Sequence, residues 1–196
     1  MKLVLASGNA GKLAELRDLL VDSDIDLHLQ SEFGIADIDE TGKTFVENAL
    51  LKARHAALIS GLPALADDSG LLVDALDGGP GLFSARFAGE HGNAAANNAL
   101  LLERLRDVPH DRRGAHFYCV LALLRSADDP QPLIAEGSWH GKILDAPCGM
   151  QGFGYDPLFL PDGQILSAAE IDPAMKNRIS HRGQALAALR EKLAQS

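Results

Sequence analysis

The sequence predicts an α/β protein in which helices flank a mixed β-sheet. Short apolar runs alternate with segments of helical spacing in the first half of the chain, whereas apolar runs follow one another directly in the middle. The chain has 196 residues, of which 46% are hydrophobic and 23% charged. A chain of this length and composition is expected to fold as a single domain, over residues 1–196, with a substantial core.

The chain opens as strand, loop, helix and strand. Lys2 to Ala6 is a short apolar run ended by Ser7-Gly8-Asn9, which predicts a buried strand entering a turn. Leucines then recur at helical spacing and predict a helix from about Gly11 to Val21. The alternating segment Ile25 to Leu29 predicts the next strand.

A capped helix and a further strand follow. Thr44-Phe-Val-Glu47 fits the capping box, in which a Thr oxygen and a Glu carboxylate satisfy free backbone donors at a helix start. The apolar spacing continues to about Ser60, and Gly61 ends the helix. Leu62 to Ala66 predicts a strand, and Leu71 to Leu76 is another apolar segment.

The second half contains two long apolar runs between helices. Asn93 to Arg106 has helical spacing. Ala115 to Leu124 predicts the longest strand, and Leu133 to Trp139 is its expected partner, joined to it through a turn at Asp128-Asp129-Pro130. A last helix is expected after Ser180, a candidate N-cap.

Composition excludes several classes of function. The chain carries 18 basic and 27 acidic residues, a net charge of −9, with no basic stripe of the kind that grips a nucleic-acid polymer. A small anionic substrate in a locally basic pocket remains open. Cys119 and Cys148 lie too far apart for a metal-type pair. Because there is neither a signal-like start nor a run of about 20 apolar residues, a soluble cytoplasmic protein without membrane partners is expected.

The first candidate site is the loop Ser7-Gly8-Asn9-Ala10-Gly11-Lys12 between a strand and a helix. Such a loop can direct backbone N–H groups, a helix N-terminus and an ammonium at a phosphate. Its glycine spacing differs from that of a P-loop, and Lys12 is followed by Leu13 rather than Ser or Thr. An ordinary turn with an exposed lysine is the alternative.

The second candidate site is Asp67-Asp68-Ser69-Gly70, expected directly after the strand that ends at Ala66. Ligands of α/β sheets bind beyond the carboxyl ends of strands. Adjacent carboxylates are costly to desolvate unless a metal or hydrogen-bond donors compensate, and Mg²⁺ prefers such oxygen ligands. A surface turn is the alternative, because Asp-Ser-Gly is turn chemistry. Glu40, in a polar loop, and Lys52, on the capped helix, are weaker candidates, since solvated side chains are the commoner fate.

Two further motifs lie near the C-terminus. Gly152-Phe153-Gly154-Tyr155-Asp156-Pro157 places glycines around an aromatic ring, so that the backbone can approach a flat ligand while the ring stacks on it. Lys176, His181 and Arg182 precede or begin the last helix and could bind an anion or donate to a carbonyl oxygen. A glycine-rich turn and a solvated helix start are the respective alternatives.

The order of these motifs along the chain is distinctive. SGNAGKLAEL, ETGKTFVENALLKARHAA, ADDSGLLVDALDGGPGLFSARFAG, GFGYDP and SHRGQAL together resemble the non-canonical purine nucleoside triphosphate pyrophosphatases, the inosine/xanthosine triphosphate pyrophosphatase or Ham1-like family. The resemblance runs from Leu3 to about Leu189. It implies an elongated two-lobed α/β fold with a central cleft, a homodimer, and a Mg²⁺-dependent hydrolase of inosine, deoxyinosine and xanthosine triphosphates that cleanses the nucleotide pool.

The resemblance also implies a role for each motif residue. Glu40 and Asp68 would hold Mg²⁺, with Asp68 the proton acceptor, Asp67 its support and Ser69 a substrate contact. The base would stack on Phe153, and its edge would be read by His181 and Arg182. The remaining substrate contacts are the phosphate and sugar loop Ser7, Gly8, Asn9, Ala10, Gly11 and Lys12, the phosphate-binding Lys52 and Lys176, and the pocket residues Gly154, Tyr155 and Asp156.

Four cations, Lys12, Lys52, Lys176 and Arg182, are therefore expected to form a locally basic pocket for one nucleotide in an otherwise acidic protein. Two other classes of function remain open from the sequence. One is a phosphate-loop nucleotide kinase or NTPase, which the glycine spacing disfavours. The other is a nucleotide sensor without catalysis, which would not need Asp68.

Overall fold

A computed structural model describes residues 2–20 and 25–195 of the chain. The strands are β1 (Lys2–Leu5), β2 (Asp26–Leu29), β3 (Ala64–Val73), β4 (Gly114–Leu124), β5 (Leu133–Ile143) and β6 (Phe159–Pro161). The helices are α1 (Ala10–Leu20), α2 (Phe45–Ser60), α3 (Ala94–Arg104), α4 (Pro173–Ile179) and α5 (His181–Ala194). Short 3-10 turns lie in several of the connections.

The described strands form one six-stranded sheet in the order β2-β1-β3-β4-β5-β6. β1 pairs in parallel with β2 and with β3, with Leu5 opposite both Leu29 and Leu65. β5 and β6 are antiparallel, with Lys142 opposite Leu160. The sheet is therefore mixed and flanked by helices, which confirms the predicted fold class.

The chain divides into two compact units, each with its own core. Unit 1 comprises Met1–Asp68, Cys119–Gly137 and His181–Ser196. Leucines of its strands, among them Leu3, Leu5 and Leu65, pack with leucines of α1 and α5. This core is almost entirely aliphatic. It forms where the apolar faces of α1 and α5 pack on one face of the sheet.

Unit 2 comprises Ser69–Tyr118 and Ser138–Ser180. Its core contains an aromatic cluster in which the ring of Phe159 lies 4.8 Å from that of Phe117 and 5.3 Å from that of Trp139, between centroids. Leu101 and Leu105 of α3 pack against the same cluster. That residues 1–196 act as a single domain stays a prediction.

Most predicted elements are confirmed to within a few residues, and their caps follow local chemistry. The Thr44 side chain accepts a hydrogen bond from the Glu47 backbone N–H, and Gly61 ends α2 in the left-handed region at φ 67°. Asn93 caps α3, and Ser180 directly precedes α5. Val21, the predicted end of the first helix, lies outside the described residues.

The boundary predicted after Ala66 was wrong. β3 continues without interruption through Asp67, Asp68, Ser69 and Gly70 to Val73. Turn-forming residue types favoured an end at Ala66, but buried cations compensate the carboxylates, as described below, so the extended backbone persists. The sequence also gave no signal for the three-residue β6 or the seven-residue α4. Among the described residues no helix is both long and apolar enough to cross a bilayer.

Candidate active site

The first loop owes its shape to local hydrogen bonds. β1 ends at Leu5, and the Asn9 backbone N–H donates to Ser7 Oγ over 3.1 Å. Asn9 Oδ1 accepts from the backbone N–H of Lys12 at 3.1 Å, so Asn9 satisfies an otherwise free donor in the first turn of α1. This turn therefore fixes Lys12 beside the carboxyl end of β1.

Lys12 meets a buried carboxylate on β3. Its Nζ lies 2.5 Å from Asp67 Oδ1 and 3.4 Å from the Asp67 carbonyl oxygen. The register between β1 and β3 ends with Leu5 opposite Leu65, so Asp67 follows the point where the neighbouring strand stops. The loop after one parallel strand and a residue inside the next thus come together at one level of the sheet.

Asp67 has a second cation partner. Arg182, at the start of α5, donates from Nε to Asp67 Oδ2 over 2.6 Å, and its Nη1 donates to Glu15 of α1. Burial raises the pKa of Asp67, but Arg182 and Lys12 outweigh burial and hold that pKa well below its usual value. Asp67 is therefore an ionised carboxylate in the interior of unit 1.

Lys52 forms ion pairs with two carboxylates and also contacts the backbone of Asp67. Its Nζ donates to Glu40 Oε1 at 2.8 Å, to Asp68 Oδ1 at 2.6 Å and to the Asp67 carbonyl at 3.0 Å. Burial lowers the pKa of Lys52, but Asp68 and Glu40 outweigh it, and the pKa lies above the ordinary value. Burial, together with Glu40, raises the pKa of Asp68 against the opposing effect of Lys52.

The loop that carries Glu40 is held to α2 by Asn48. Asn48 is buried, and its Oδ1 accepts from the Gly42 backbone N–H at 2.8 Å. A Cβ added at Gly42 would lie 2.6 Å from the same Oδ1, so this approach requires glycine. Asn48 and Lys52 lie one turn apart on α2 and together orient the Glu40 loop.

A different arrangement occurs in unit 2, in the loop after Gly152. Asp156 Oδ2 accepts from the Phe153 backbone N–H at 2.8 Å and from Lys176 Nζ at 2.7 Å. Lys176 Nζ also lies 5.2 Å from the centroid of the Phe153 ring, a cation–π contact. The Phe153 residue is 37% exposed, so part of this ring remains accessible.

The neighbours of Phe153 are held by the core of unit 2. Tyr155 is buried, and its hydroxyl donates to the Ser84 carbonyl at 2.8 Å. Asn98 Nδ2 donates to the Gly154 carbonyl at 3.0 Å. Ser69 lies half-buried on β3. Hydrogen bonds to the rest of unit 2 therefore hold Gly154 and Tyr155 in place, while the neighbouring Phe153 ring stays partly exposed.

The four cations expected to form a basic pocket are paired with carboxylates, and the pocket itself stays a prediction. Each of the four cations predicted to form it meets at least one carboxylate: Lys12 and Arg182 meet Asp67, Lys52 meets Glu40 and Asp68, and Lys176 meets Asp156. Within unit 1 the structure brings together Lys12, Glu40, Lys52, Asp67, Asp68 and Arg182. Within unit 2 it brings together Phe153, Asp156 and Lys176. His181, the first residue of α5, is buried.

Sequence reasoning missed Glu15 as a partner of Arg182. Its sole signal is a position three residues after Lys12, on the same face of α1. Asn48 lies four residues before Lys52 and shares its helix face, but nothing in the sequence connects Asn48 with Gly42. Both contacts are between residues whose pairing depends on how the chain folds.

Glu40 and Asp68 form a donor set that suits Mg²⁺. Their carboxylates converge on one ammonium, Lys52 Nζ. Mg²⁺ is commonly held through one or two carboxylates and completes its shell with water and substrate phosphates. The described residues contain no group of three or more His, Cys, Asp or Glu able to hold an ion, so an ion here would depend on those additional oxygens.

A buried carboxylate network on β3, beyond the carboxyl end of the parallel strand β1, with a glycine-rich loop and two lysines, defines an α/β protein equipped to bind phosphates. The chain belongs to the Ham1 family, whose model matches residues 3–192.

Individual relatives agree with this placement. A protein of Xanthomonas campestris pv. campestris named dITP/XTP pyrophosphatase is 62% identical over 191 residues, covering 97% of this chain and 96% of that protein. A Vibrio cholerae protein of the same name is 55% identical, covering 94% and 92%. The solved structure of a HAM1 protein from Coxiella burnetii superposes with a TM-score of 0.91 at 50% identity, covering 100% of both chains.

Proposed function

We propose that this protein hydrolyses inosine, deoxyinosine and xanthosine triphosphates to the monophosphate and pyrophosphate. Nucleoside-triphosphate pyrophosphatase is the class of hydrolase to which the chain belongs, on the strength of its family and of relatives named dITP/XTP pyrophosphatase. Water attacks the α-phosphorus, the bond from the α-phosphorus to the bridging oxygen breaks, and that oxygen leaves with pyrophosphate. The proton released from water passes to Asp68 and from there to solvent.

The observation that carries the proposal is the convergence of Lys12, Lys52, Asp67, Asp68 and Glu40 within unit 1. In the proposed mechanism Lys12 and Lys52 bind phosphate oxygens and neutralise charge that develops on the leaving pyrophosphate. Asp68 orients the attacking water and accepts its proton. Asp67 holds Lys12 and Arg182 in fixed positions through its ion pairs with both.

Glu40 and Asp68 are the residues that would hold Mg²⁺, which when bound would supply positive charge to the phosphates. The loop Ser7–Lys12 would contribute backbone N–H groups and the N-terminus of α1 to the same phosphates. Lys52, which donates to both carboxylates, would hold them close to one another and offset their mutual repulsion.

The base is proposed to stack on Phe153, with Gly154, Tyr155 and Asp156 forming its loop. An accessible aromatic face suits a flat purine. Inosine and xanthosine carry a 6-keto acceptor where adenine carries an amino group. A hydrogen-bond donor of the protein that faces the 6-position of the base therefore discriminates against adenine. A buried donor left facing an amino group costs about 1–3 kcal/mol, roughly ten- to a hundredfold in affinity. His181 and Arg182 are the proposed donors.

Three properties are proposed on the family resemblance alone: a homodimer, a cytoplasmic location and a role in cleansing the nucleotide pool. The dimer is expected to give twice the chain mass of 20.8 kDa by size-exclusion chromatography with light scattering. A monomer at all concentrations would contradict it.

Product analysis tests the reaction. The protein is incubated with inosine triphosphate and Mg²⁺, and phosphorus NMR identifies the products. We expect inosine monophosphate and pyrophosphate in equal amounts. Orthophosphate with inosine diphosphate would instead identify an NTPase, and binding without turnover would identify a nucleotide sensor. Adenosine triphosphate serves as the matched substrate, and a much lower kcat/KM is expected for it.

A further inference from the structure

We propose that Glu15 and Arg182 are positioning residues that lock the Asp67 carboxylate and thereby aim Lys12 at the substrate phosphates. The inference rests on the proposed function for the identity of the substrate. It assigns a task to Glu15, and it gives Arg182 an action through Asp67 in addition to any contact with a base.

The side chains of Lys12, Asp67, Arg182 and Glu15 form a series of ion pairs, called the circuit below. Positive and negative groups alternate along it, and both of its ends lie on α1. Lys12 of α1 meets Asp67 Oδ1, Asp67 Oδ2 meets Arg182 Nε, and Arg182 Nη1 meets Glu15, which returns to α1. Two cations and two carboxylates leave the circuit neutral, so its burial is less costly than that of unpaired charges. The circuit ties α1, β3 and α5 together within unit 1.

The geometry gives Asp67 a fixed orientation. The terminal torsion of an Asp side chain is ordinarily broad, because the carboxylate rotates easily about its last bond. Here Arg182 Nε at 2.6 Å and the Cys119 thiol, with Sγ at 3.5 Å, both approach Oδ2. Since Oδ2 is held, Oδ1 is directed at Lys12.

The two ends of the circuit are more exposed than its middle. The Asp67 and Arg182 side chains are 0% and 2% exposed, whereas those of Lys12 and Glu15 are 16% and 13% exposed. Of the two partly exposed groups, the Lys12 ammonium is the one with the charge to bind a phosphate. An ammonium has three N–H donors, and Asp67 supplies acceptors for two of them in the described part of the chain. Lys12 therefore retains a donor for a phosphate oxygen while its flexible stem is held in one conformation.

Removal of the Glu15 charge is expected to disturb Lys12 without removing it. With Gln at position 15 the circuit carries a net positive charge, Arg182 loses a carboxylate, and the hold on Asp67 weakens. If Glu15 acts through Lys12, this effect must vanish once Lys12 is gone. If Glu15 instead orients Arg182 for a contact with the base, the effect must persist without Lys12 and must depend on the base.

The experiment is a double-mutant cycle with Glu15→Gln, Lys12→Ala and the double variant. Glu191→Gln, on an exposed position of α5, is the matched control. Each protein is assayed for kcat and KM with inosine and adenosine triphosphates, for the Kd of inorganic pyrophosphate by calorimetry, and for its melting temperature. Arg182→Lys is carried through the same cycle in case Glu15→Gln fails to fold, because lysine keeps the charge but lacks the fork that bridges two carboxylates.

We expect Glu15→Gln to lower kcat/KM for inosine triphosphate and to weaken pyrophosphate binding by about tenfold each, which is within the range of measured couplings. In the Lys12→Ala background the same change is expected to have less than about a twofold effect. The ratio of kcat/KM between the two triphosphates is expected to stay constant, and Glu191→Gln to behave like the wild type.

Equal effects in both backgrounds, or a changed ratio between inosine and adenosine triphosphates, would overturn the inference. So would a wild-type protein that does not bind pyrophosphate. A wild-type protein that binds pyrophosphate but releases none from inosine triphosphate would refute the proposed function instead, and the binding cycle would still decide the role of Glu15.

Discussion

The charged residues of unit 1 and the aromatic loop of unit 2 are built on different principles. In unit 1, Asp67 lies between two cations and Lys52 lies between two carboxylates, so each of these two groups shares its charge with two partners. In unit 2, Asp156 meets Lys176 and a backbone N–H, and glycines shape the loop around Phe153. Shared charges suit a ligand that itself brings several charges, such as a triphosphate, whereas an accessible ring suits a flat base.

The difference predicts that loss of the Asp68 carboxylate in unit 1 affects the chemical step and that substitutions in the loop of unit 2 affect substrate binding. Three substitutions test this contrast, each against a comparison protein, in order of decreasing expected effect.

Asp68→Asn tests the chemical role of unit 1. Asparagine keeps the shape of the side chain but cannot accept a proton, so we expect kcat for inosine triphosphate to fall by at least about a hundredfold. The melting temperature is expected to change little, because Lys52 keeps Glu40 and the Asp67 carbonyl as acceptors. Steady-state kinetics and calorimetry measure both effects, with Asp128→Asn in the exposed β4–β5 turn as the control. Near-wild-type turnover would remove Asp68 from the mechanism.

Gly152→Ala tests the loop of unit 2 against Gly154→Ala. Both glycines have positive φ, 75° and 63°, so each alanine costs about 1–2 kcal/mol. A Cβ at Gly152 would also lie 2.1 Å from Asp156 Oδ2, whereas one at Gly154 meets nothing within 4 Å.

Gly152→Ala must therefore displace the carboxylate that holds Phe153 and Lys176. We expect its KM for inosine triphosphate to exceed that of Gly154→Ala by about tenfold, which corresponds to roughly 1.4 kcal/mol and lies within the usual cost of local backbone strain. The kcat values of the two variants should agree to within about threefold. Equal KM values would show that the Asp156 contact does not shape the base site.

Asp129→Asn separates the charges that fold unit 1 from those that form its site. Hydrogen bonds from the Arg125 side chain, then from the Arg125 and Gln131 backbones, lower the pKa of Asp129. A group whose pKa is lower in the folded state stabilises the fold above its unfolded pKa, about 3.9, and loses that contribution as the pH falls below this value.

Urea denaturation is therefore expected to show Asp129→Asn less stable than the wild type by about 1–2 kcal/mol at pH 7. The gap should narrow between about pH 4 and pH 2, while kcat/KM at pH 7 stays within about twofold of the wild type. A gap that is constant with pH would mean that the ionised carboxylate of Asp129 does not stabilise the turn.

Much of the fold was readable from local chemistry. The apolar alternation of Ile25 to Leu29, the cap at Thr44 and the left-handed Gly61 each depend on neighbours within a few residues, and each appears in the structure. β3 is the instructive exception. Turn-forming residue types at Asp67 to Gly70 predicted an end at Ala66, but the strand continues because Lys12 and Arg182 compensate the buried carboxylate.

By itself the sequence determined the mixed α/β class, the family, and which side chains could carry phosphate chemistry, since residue type and short-range spacing contain that information. Tertiary structure decided which charges meet. Arg182 and Asp67 are 115 residues apart in the chain, and Glu15 joins them only because α1 and α5 lie on the same core. The carboxylate partners of the four predicted cations could not be read from the sequence for this reason: ion pairing depends on distance in space, which the order of residues does not specify.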